Sequence, residues 1–176
     1  MRFAMKIHNK IRCTNAFGAR EVKMELIRKS YRIFADYFHF YIQDESAVGD
    51  LANSWNKEAT ANSLAIADGI IGIGTVRNME VPVEIVINEK EPIDNIDEYD
   101  KINECSIEIK SEKIVIAGCT DYFPEAERIK MDNGIYTVRI YYKNLDSLSE
   151  DGLDGDDTYK VVMWKDGIRR NYKKIR

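Results

Sequence analysis

The sequence is short of the residues and segments that mark several large classes of protein. It has three cysteines, two histidines and three prolines in 176 residues. The cysteines, at 13, 105 and 119, are odd in number and show no C-x-x-C spacing, which excludes a disulfide framework and the common zinc and redox motifs. No run of about 18 apolar residues offers a membrane-spanning helix, and the basic start lacks the apolar stretch of a secretory signal. We therefore expect a cytoplasmic protein with reduced thiols.

Signature motifs of catalysis are also absent. The sequence contains no G-x-S-x-G, no G-x-x-x-x-G-K-[ST], no H-E-x-x-H and no G-x-G-x-x-G. The enzymatic alternative that remains is a cysteine hydrolase, with Cys119 as nucleophile, His39 as base and Asp121 as the group that orients the base. A structural cysteine and a histidine on an aromatic strand are the commoner arrangement. The prediction is a protein without catalytic residues, metal or cofactor.

Charge is distributed unevenly along the chain. The net charge of −4 conceals a segment, 36–164, with 27 acidic and 11 basic residues and a net charge of −16, between two basic ends. Such a segment repels phosphate backbones and attracts basic surfaces, so we expect a basic protein partner and no direct contact with nucleic acid or membrane. We predict a mobile basic extension over 1–29, one acidic domain over 30–165 and a basic tail over 166–176.

Most of the chain shows β patterning. Segment 31–43 is rich in aromatic and β-branched residues and is predicted to form one long strand. Residues 81–87 alternate between apolar and polar and are predicted to form one arm of a hairpin, with Pro82 indicating an edge strand. Segments 106–110 and 113–118 are predicted to form a second hairpin around a Ser-Glu turn.

One short helix interrupts the β pattern. Capping residues and good helix formers predict it over 56–66, and a strand follows over 70–76. Gly72 and Gly74 lie on one side of that strand and leave room for a bulky side chain, for which Trp55 is the simplest candidate. About eight strands and one helix predict a mainly β domain, either an antiparallel β-sandwich or a partly open barrel.

The segment 144–159 is the most distinctive acidic stretch. Six of its carboxylates are predicted to bind the basic partner: Asp146, Glu150, Asp151, Asp154, Asp156 and Asp157. Leu145, Leu148 and Leu153 are expected to anchor the loop and hold these carboxylates outward, where they would engage basic side chains of an enzyme that normally binds phosphates. The segment fails the EF-hand pattern, because Lys165 stands at the twelfth position from Asp154. An irregular calcium loop, or a sugar-binding sandwich, is the alternative.

Part of the sequence resembles the competence protein J (ComJ) family, small bacterial proteins that inhibit a DNA-entry nuclease. The similar residues lie between 37 and 164: Tyr37, Phe40, Trp55, Glu58-Ala59, Ala67-Asp68-Gly69, Arg77-Asn78 and Asp157-Thr158-Tyr159. The resemblance implies a non-catalytic protein that sequesters a nuclease and needs no cofactor. The basic N-terminal segment, the longer acidic loop and residues 118–127 have no counterpart in that family. An immunity protein against a toxin is the related interpretation.

Four residues of the ComJ-like stretch are candidates for a structural or binding role. Asp68 and Arg77 are predicted to form a partly buried ion pair between the helix exit and the following turn. Asn78 is predicted to adopt a positive φ in that turn. Trp55 is predicted to cover the core. All three predictions describe structure first, and a direct binding role for the four residues is the alternative.

Overall fold

A computed structural model describes residues 25–176. Within this range the chain forms one α-helix, α1 (Lys57–Asn62), and eleven strands. The strands are β1 (Glu25–Phe34), β2 (His39–Asp44), β3 (Leu64–Ala67), β4 (Ile70–Gly74), β5 (Glu80–Asn88), β6 (Lys101–Ile109), β7 (Lys113–Gly118), β8 (Glu127–Lys130), β9 (Gly134–Lys143), β10 (Thr158–Lys165) and β11 (Lys173–Lys174). The mainly β class is confirmed. Of the predicted extension over 1–29, residues 1–24 lie outside the described residues, and residues 25–29 belong to β1.

The strands form two sheets. We call the six-stranded sheet, ordered β1-β5-β10-β9-β6-β11, sheet A, and the five-stranded sheet, ordered β3-β4-β2-β7-β8, sheet B. The predicted all-antiparallel pairing is wrong at one place, because β5 and β10 run parallel. One apolar cluster contains buried residues from both sheets, so the described chain is a sandwich and not a closed barrel.

Side chains that alternate along the strands fill the space between the sheets. From β5, the predicted alternation is confirmed, since Val81, Val83, Ile85 and Ile87 all join the central cluster. Sheet B contributes buried residues from its central strands, among them Phe40, Ile42, Ile71, Ile73, Ile114 and Ile116. Each such side chain stabilises the fold by about 1.5–3 kcal/mol relative to exposure. The core is therefore shared by both sheets and holds them face to face.

The predicted single strand over 31–43 is wrong, because the chain leaves sheet A after β1 and enters sheet B at β2. The break lies at Tyr37 and Phe38, whose φ angles are 57° and 62°. Residues in the left-handed region cannot continue an extended strand. His39, the first residue of β2, therefore follows directly on a sharp change of direction.

The helix α1 is shorter than the predicted range of 56–66. The Asn56 side chain caps its start by accepting hydrogen bonds from two backbone N–H groups of the first turn. Ser63, with a φ of 53°, ends the helix, and the apolar residues that follow it form β3 beside β4. No helix in the described part of the chain has the length and apolar character needed to span a membrane.

Both predicted hairpins are wrong. Strand β5 lies inside sheet A, between β1 and β10, and not at an edge. Pro82 lies opposite Arg32 of β1, and the register with β10 begins one residue later, at Val83. Strands β6 and β7 belong to different sheets, and Glu112, with a φ of 58°, lies in the turn between them.

The predicted basic tail over 166–176 lies against sheet A. Its strand β11 pairs with β6, and Ile175 packs on a small apolar cluster on the outer face of the sheet. Arg169 Nη2 lies 2.6 Å from a carboxylate oxygen of Glu108. The tail therefore neutralises part of the negative charge of the domain on which it lies.

Candidate functional site

A buried ion pair joins the turn after β4 to the residue that precedes β10. Arg77 Nε lies 2.7 Å from Asp157 Oδ1, and the two side chains are 5% and 0% exposed. Beside this pair, the backbone N–H of Val76 donates a hydrogen bond to the Tyr159 hydroxyl at 2.9 Å. Since β4 belongs to sheet B and β10 to sheet A, these contacts tie the two sheets together. Residues from two separate parts of the ComJ-like stretch thus meet in space.

The ion pair overturns the predicted pairing of Asp68 with Arg77. These two residues flank opposite ends of β4, and a strand advances about 3.3 Å per residue, which keeps them apart. The Asp68 side chain is exposed and lies 3.9 Å from Lys110 Nζ. The predicted positive φ at Asn78 is also wrong, because Asn78 is not among the residues with a left-handed backbone. Asp157 is fully buried, so its predicted place on a binding surface is wrong as well.

The loop between β9 and β10 presents its other predicted carboxylates to solvent. Five acidic residues of the predicted surface are exposed: Asp146, Glu150, Asp151, Asp154 and Asp156. The loop is held by its own hydrogen bonds, because the Ser149 N–H donates to the Asp154 carbonyl at 2.8 Å and the Asp156 N–H donates to Ser147 Oγ at 2.8 Å. The carboxylates therefore project from a backbone of defined shape. We call residues 144–156 the acidic loop.

Leucines anchor the acidic loop only in part. Leu145 packs against the central core and Leu148 is half-buried, as predicted, but Leu153 is 54% exposed. The side chain of Asp151 accepts hydrogen bonds from Ser149 Oγ and from the Leu153 N–H, and these lower the pKa of Asp151. Asp151 is therefore ionised at neutral pH and available to a basic group.

A second cluster brings Cys119 and His39 into contact. In the register of β2 and β7, Phe40 lies opposite Gly118, which places the flanking residues His39 and Cys119 side by side. His39 Nε2 lies 2.9 Å from Cys119 Sγ, and His39 Nδ1 lies 3.0 Å from the carbonyl oxygen of Tyr37. A carbonyl oxygen can only accept a hydrogen bond, so in the neutral ring Nδ1 carries the proton. Nε2 then presents its lone pair to the thiol.

Asp121 does not orient His39, contrary to the prediction. Its carboxylate accepts a hydrogen bond from the backbone N–H of Gly118 at 2.8 Å. The carbonyl of Tyr37 takes the orienting position, and it is aimed by the left-handed backbone at Tyr37 and Phe38. Sequence patterns missed this group, because a backbone carbonyl leaves no signature in residue type.

Close packing fixes both sides of the Cys119–His39 contact. The rings of Trp55 and His39 lie 4.8 Å apart between centroids. A Cβ atom added to Gly72 would lie 2.8 Å from Trp55 Cζ2, which confirms the predicted room for a ring beside this glycine. A Cβ added to Gly118 would lie only 2.2 Å from the carbonyl oxygen of Phe34. The backbone at position 118 can therefore approach Phe34 this closely only with glycine.

The electrostatics of the contact favour the protonated thiol. Burial raises the pKa of Cys119, and the negative charges of Asp36 and Asp121 raise it further. The resting thiol therefore keeps its proton and donates a hydrogen bond to Nε2. In the part of the chain that the structure describes, no three His, Cys, Asp or Glu side chains form a group suited to a metal ion.

These features define a mainly β sandwich that combines a shaped acidic loop with a separate cysteine–histidine contact. ComJ from Bacillus subtilis, an inhibitor of the DNA degrading activity of NucA, shares the fold: it is 18% identical, covers 81% of this chain and 97% of its own, and has a TM-score of 0.57. The crocagin biosynthetic gene J product is 12% identical, covers 80% of this chain and 99% of its own, and has a TM-score of 0.51. No family model and no curated protein sequence matches the chain. The ComJ-like resemblance is thus confirmed for the fold.

Proposed function

We propose that this chain is an inhibitor or immunity protein that binds a basic bacterial nuclease or nuclease toxin in the cytoplasm. The observation that carries the proposal is the fold shared with an inhibitor of a DNA-degrading activity over 97% of that inhibitor's length. The net charge of −16 over residues 36–164 supports a basic partner. The free thiols of Cys105 and Cys119 fit a reducing compartment.

The acidic loop is the surface that we assign to the partner. Its five exposed carboxylates stand on a loop held by internal hydrogen bonds, so binding requires little further ordering of the backbone. Carboxylates arranged in this way attract the lysines and arginines with which a nuclease holds phosphates. Long-range attraction of this kind raises the association rate and weakens as salt screens it.

A depression beside the acidic loop has the chemistry to receive one basic side chain. Its lining includes the carboxylates of Asp151 and Asp154 and the apolar side chains of Met79 and Leu153. Lysine and arginine bury an aliphatic stem and keep a charged head near acids, which matches this combination. Leu153 is exposed and does not anchor the loop, and in this depression it would contact the aliphatic stem of the partner's basic side chain.

Arginines also line this depression, but they already have acidic partners. Arg77 pairs with Asp157, and its Nη1 also lies 3.4 Å from Asp154 Oδ1. Arg32 Nε lies 3.4 Å from a carboxylate oxygen of Glu80. Asp157 and Glu80 offset the charges of these two arginines, so Asp151 and the exposed Asp154 leave the depression with a net negative charge that attracts a cation.

Degradation of plasmid DNA by NucA and by a panel of basic bacterial nucleases tests the proposal. We expect the purified full chain to abolish the activity of at least one nuclease at equimolar ratio, and to form a complex with it that elutes as one species in size-exclusion chromatography. Full nuclease activity across the panel in the presence of excess chain would overturn the proposal.

A further inference from the structure

The contact between Cys119 and His39 has no part in the proposed inhibition by the acidic loop. We propose that Cys119 is a nucleophilic thiol that exchanges with sulfur electrophiles of positive charge, such as cationic disulfides, and that His39 is the base that takes its proton. Three features of the site support this assignment: the tautomer of His39, the access to Cys119 and the charges around the thiol.

The ring of His39 is held in the tautomer that a base requires. Its Nδ1 is 3.0 Å from the Tyr37 carbonyl, so Nε2, 2.9 Å from Cys119 Sγ, is the nitrogen free to accept a proton. Packing of Trp55 against the imidazole fixes the plane of the ring. A nucleophile in contact with a base that is itself oriented by a third group is the arrangement that activates serine and cysteine nucleophiles.

Access separates Cys119 from the other described cysteine. Cys119 is partly exposed, whereas Cys105 is fully buried in the core. Tyr37, Phe38 and Tyr122, close to His39 and Cys119 in the sequence, are each more than half exposed. A small reagent can therefore approach the thiol without opening the sandwich.

The surrounding groups favour substitution at sulfur over acyl transfer. Acyl transfer needs N–H donors for the oxygen anion that develops on the carbonyl. The nearby N–H of Gly118 is already donated to Asp121. Thiol exchange at a sulfur atom develops no such oxygen anion, so a nucleophile and a base are sufficient.

Two carboxylates set the charge of the electrophile. Asp121 lies beside Cys119, because its Oδ2 accepts a hydrogen bond from the Gly118 N–H at 2.8 Å, and Asp36 directly precedes Tyr37, whose carbonyl contacts His39. The charges of both carboxylates raise the pKa of the Cys119 thiol. The same field concentrates cationic reagents and repels anionic ones. Without His39 to accept the proton, this field would make Cys119 less reactive than an ordinary cysteine. The rate at which Cys119 reacts therefore reports whether His39 acts as its base.

The reaction balances without a further oxidant. As Cys119 Sγ attacks one sulfur of a disulfide R–S–S–R, its proton passes to His39 Nε2 and the S–S bond of the reagent breaks. The departing RS⁻ takes the proton from the imidazolium and leaves as RSH. One mixed disulfide on Cys119 and one free thiol are the products.

Two methanethiosulfonates test the proposal on the full chain: the cationic 2-(trimethylammonium)ethyl and the anionic 2-sulfonatoethyl reagents. Both transfer their R–S group to Cys119 and release methanesulfinate, and the proton that His39 accepted then passes to water. Rates of modification at each cysteine are read by quenching and peptide mass spectrometry at low salt, relative to a small free thiol. We expect wild-type Cys119 to prefer the cationic reagent about tenfold, which corresponds to about 1.4 kcal/mol of electrostatic attraction. Combined Asp36→Asn and Asp121→Asn substitution should abolish the preference while each side chain keeps an oxygen acceptor.

Replacement of His39, the proposed base, is the second part of the test. His39→Gln should slow modification of Cys119 by about tenfold or more, and His8→Gln, which changes the other histidine, should leave the rate unchanged. Protection of the buried Cys105 in each variant shows that the core is intact. An unchanged Cys119 rate in a folded His39→Gln protein overturns the proposal. So does a wild-type Cys119 that reacts no faster than Cys105 or prefers the anionic reagent, and this comparison needs no variant.

Discussion

Arg77 and Asp157 form a buried ion pair, with 2.7 Å between Arg77 Nε and Asp157 Oδ1, that joins sheet B to sheet A. Burial of two charges is costly, and the pair contributes little relative to apolar residues of the same volume. Loss of one partner is different, because it leaves a single charge in the interior. The pair therefore acts as a constraint on how the two sheets are joined.

Truncation of Asp157 should be far more damaging than truncation of its neighbour. We expect Asp157→Ala to lower the free energy of unfolding by up to about 3–5 kcal/mol, because the buried Arg77 then keeps only the exposed Asp154, 3.4 Å from its Nη1, as a counter-charge. Asp156→Ala removes an exposed carboxylate one residue away and should change stability by no more than about 0.5 kcal/mol. Urea denaturation of both variants measures the difference, and equal effects would contradict the structural role of the pair.

A methyl group at Gly72 should disturb the packing of Trp55. The Cβ of Gly72→Ala would lie 2.7 Å from Leu51 Cδ1 and 2.8 Å from Trp55 Cζ2, closer than side chains tolerate. We expect a loss of about 1–3 kcal/mol from this overpacking. In Gly49→Ala the new atom would meet its nearest neighbours at an ordinary 3.8 Å, so thermal denaturation should place this control near the wild type.

The carboxylate of Asp44 fastens the turn through which the chain passes from β6 in sheet A to β7 in sheet B. Asp44 Oδ2 accepts hydrogen bonds from the backbone N–H groups of Lys110 at 2.8 Å and Ser111 at 2.9 Å. Burial opposes the ionisation of Asp44, but hydrogen bonds from Ser46, Lys110 and Ser111 outweigh it and lower the pKa to about 2, from an ordinary 3.8.

This depressed pKa predicts a stability that depends on pH. The folded-state pKa of Asp44 lies below the unfolded one, so ionised Asp44 stabilises the fold above about pH 4 and loses that effect as the pH falls towards about 2. Asp44→Asn should lower the unfolding free energy by about 1–3 kcal/mol at neutral pH. The gap to the wild type should narrow in urea titrations carried out at successively lower pH. A gap that stays constant down to about pH 2 would argue against the charge of Asp44 as the cause.

Neutralising the acidic loop should weaken binding to the nuclease that we propose as the partner. A variant with Glu150→Gln, Asp151→Asn, Asp154→Asn and Asp156→Asn removes four charges but keeps the oxygen acceptors within the loop. We expect its dissociation constant to rise by about tenfold or more and its dependence on salt to flatten. Isothermal titration calorimetry at two salt concentrations measures both effects.

A matched variant controls for net charge alone. Glu89→Gln, Glu125→Gln, Glu127→Gln and Asp132→Asn also neutralise four exposed carboxylates, all outside the acidic loop. Affinity should change much less in this control. Equal weakening in the two variants would show that total charge, and not the loop, governs binding.

Local patterns predicted the individual strands better than their partners. The alternation of Val81 to Ile87 identified β5 correctly, because a strand with one face in the core must alternate. The same pattern carries no information about neighbours, and β5 pairs with β1 and β10, both distant in the sequence. The predicted hairpins failed for this reason, since the sandwich repeatedly sends consecutive strands to opposite sheets.

The same limit applies to the two candidate sites: the sequence identified residues of each site, but not all of their contacts. The acidic loop was evident from composition, because a dense group of carboxylates must be solvated or paired wherever the chain places it. Which member is paired was not evident: Asp157 turned inward to Arg77, while the five other predicted carboxylates remained exposed. Cys119 and His39 were named as a candidate pair, but their contact depends on the register of β2 against β7.

The sequence by itself determined the mainly β class, the acidic character of the domain and the location of its most charged loop, because these follow from residue type and short-range periodicity. Only the tertiary structure decided the partner of Arg77, the burial of Asp157 and the carbonyl that orients His39. These contacts join residues that are close in space through strand order, register and left-handed turns. Such long-range geometry is set by the packing of the whole chain and leaves no periodic trace in the sequence.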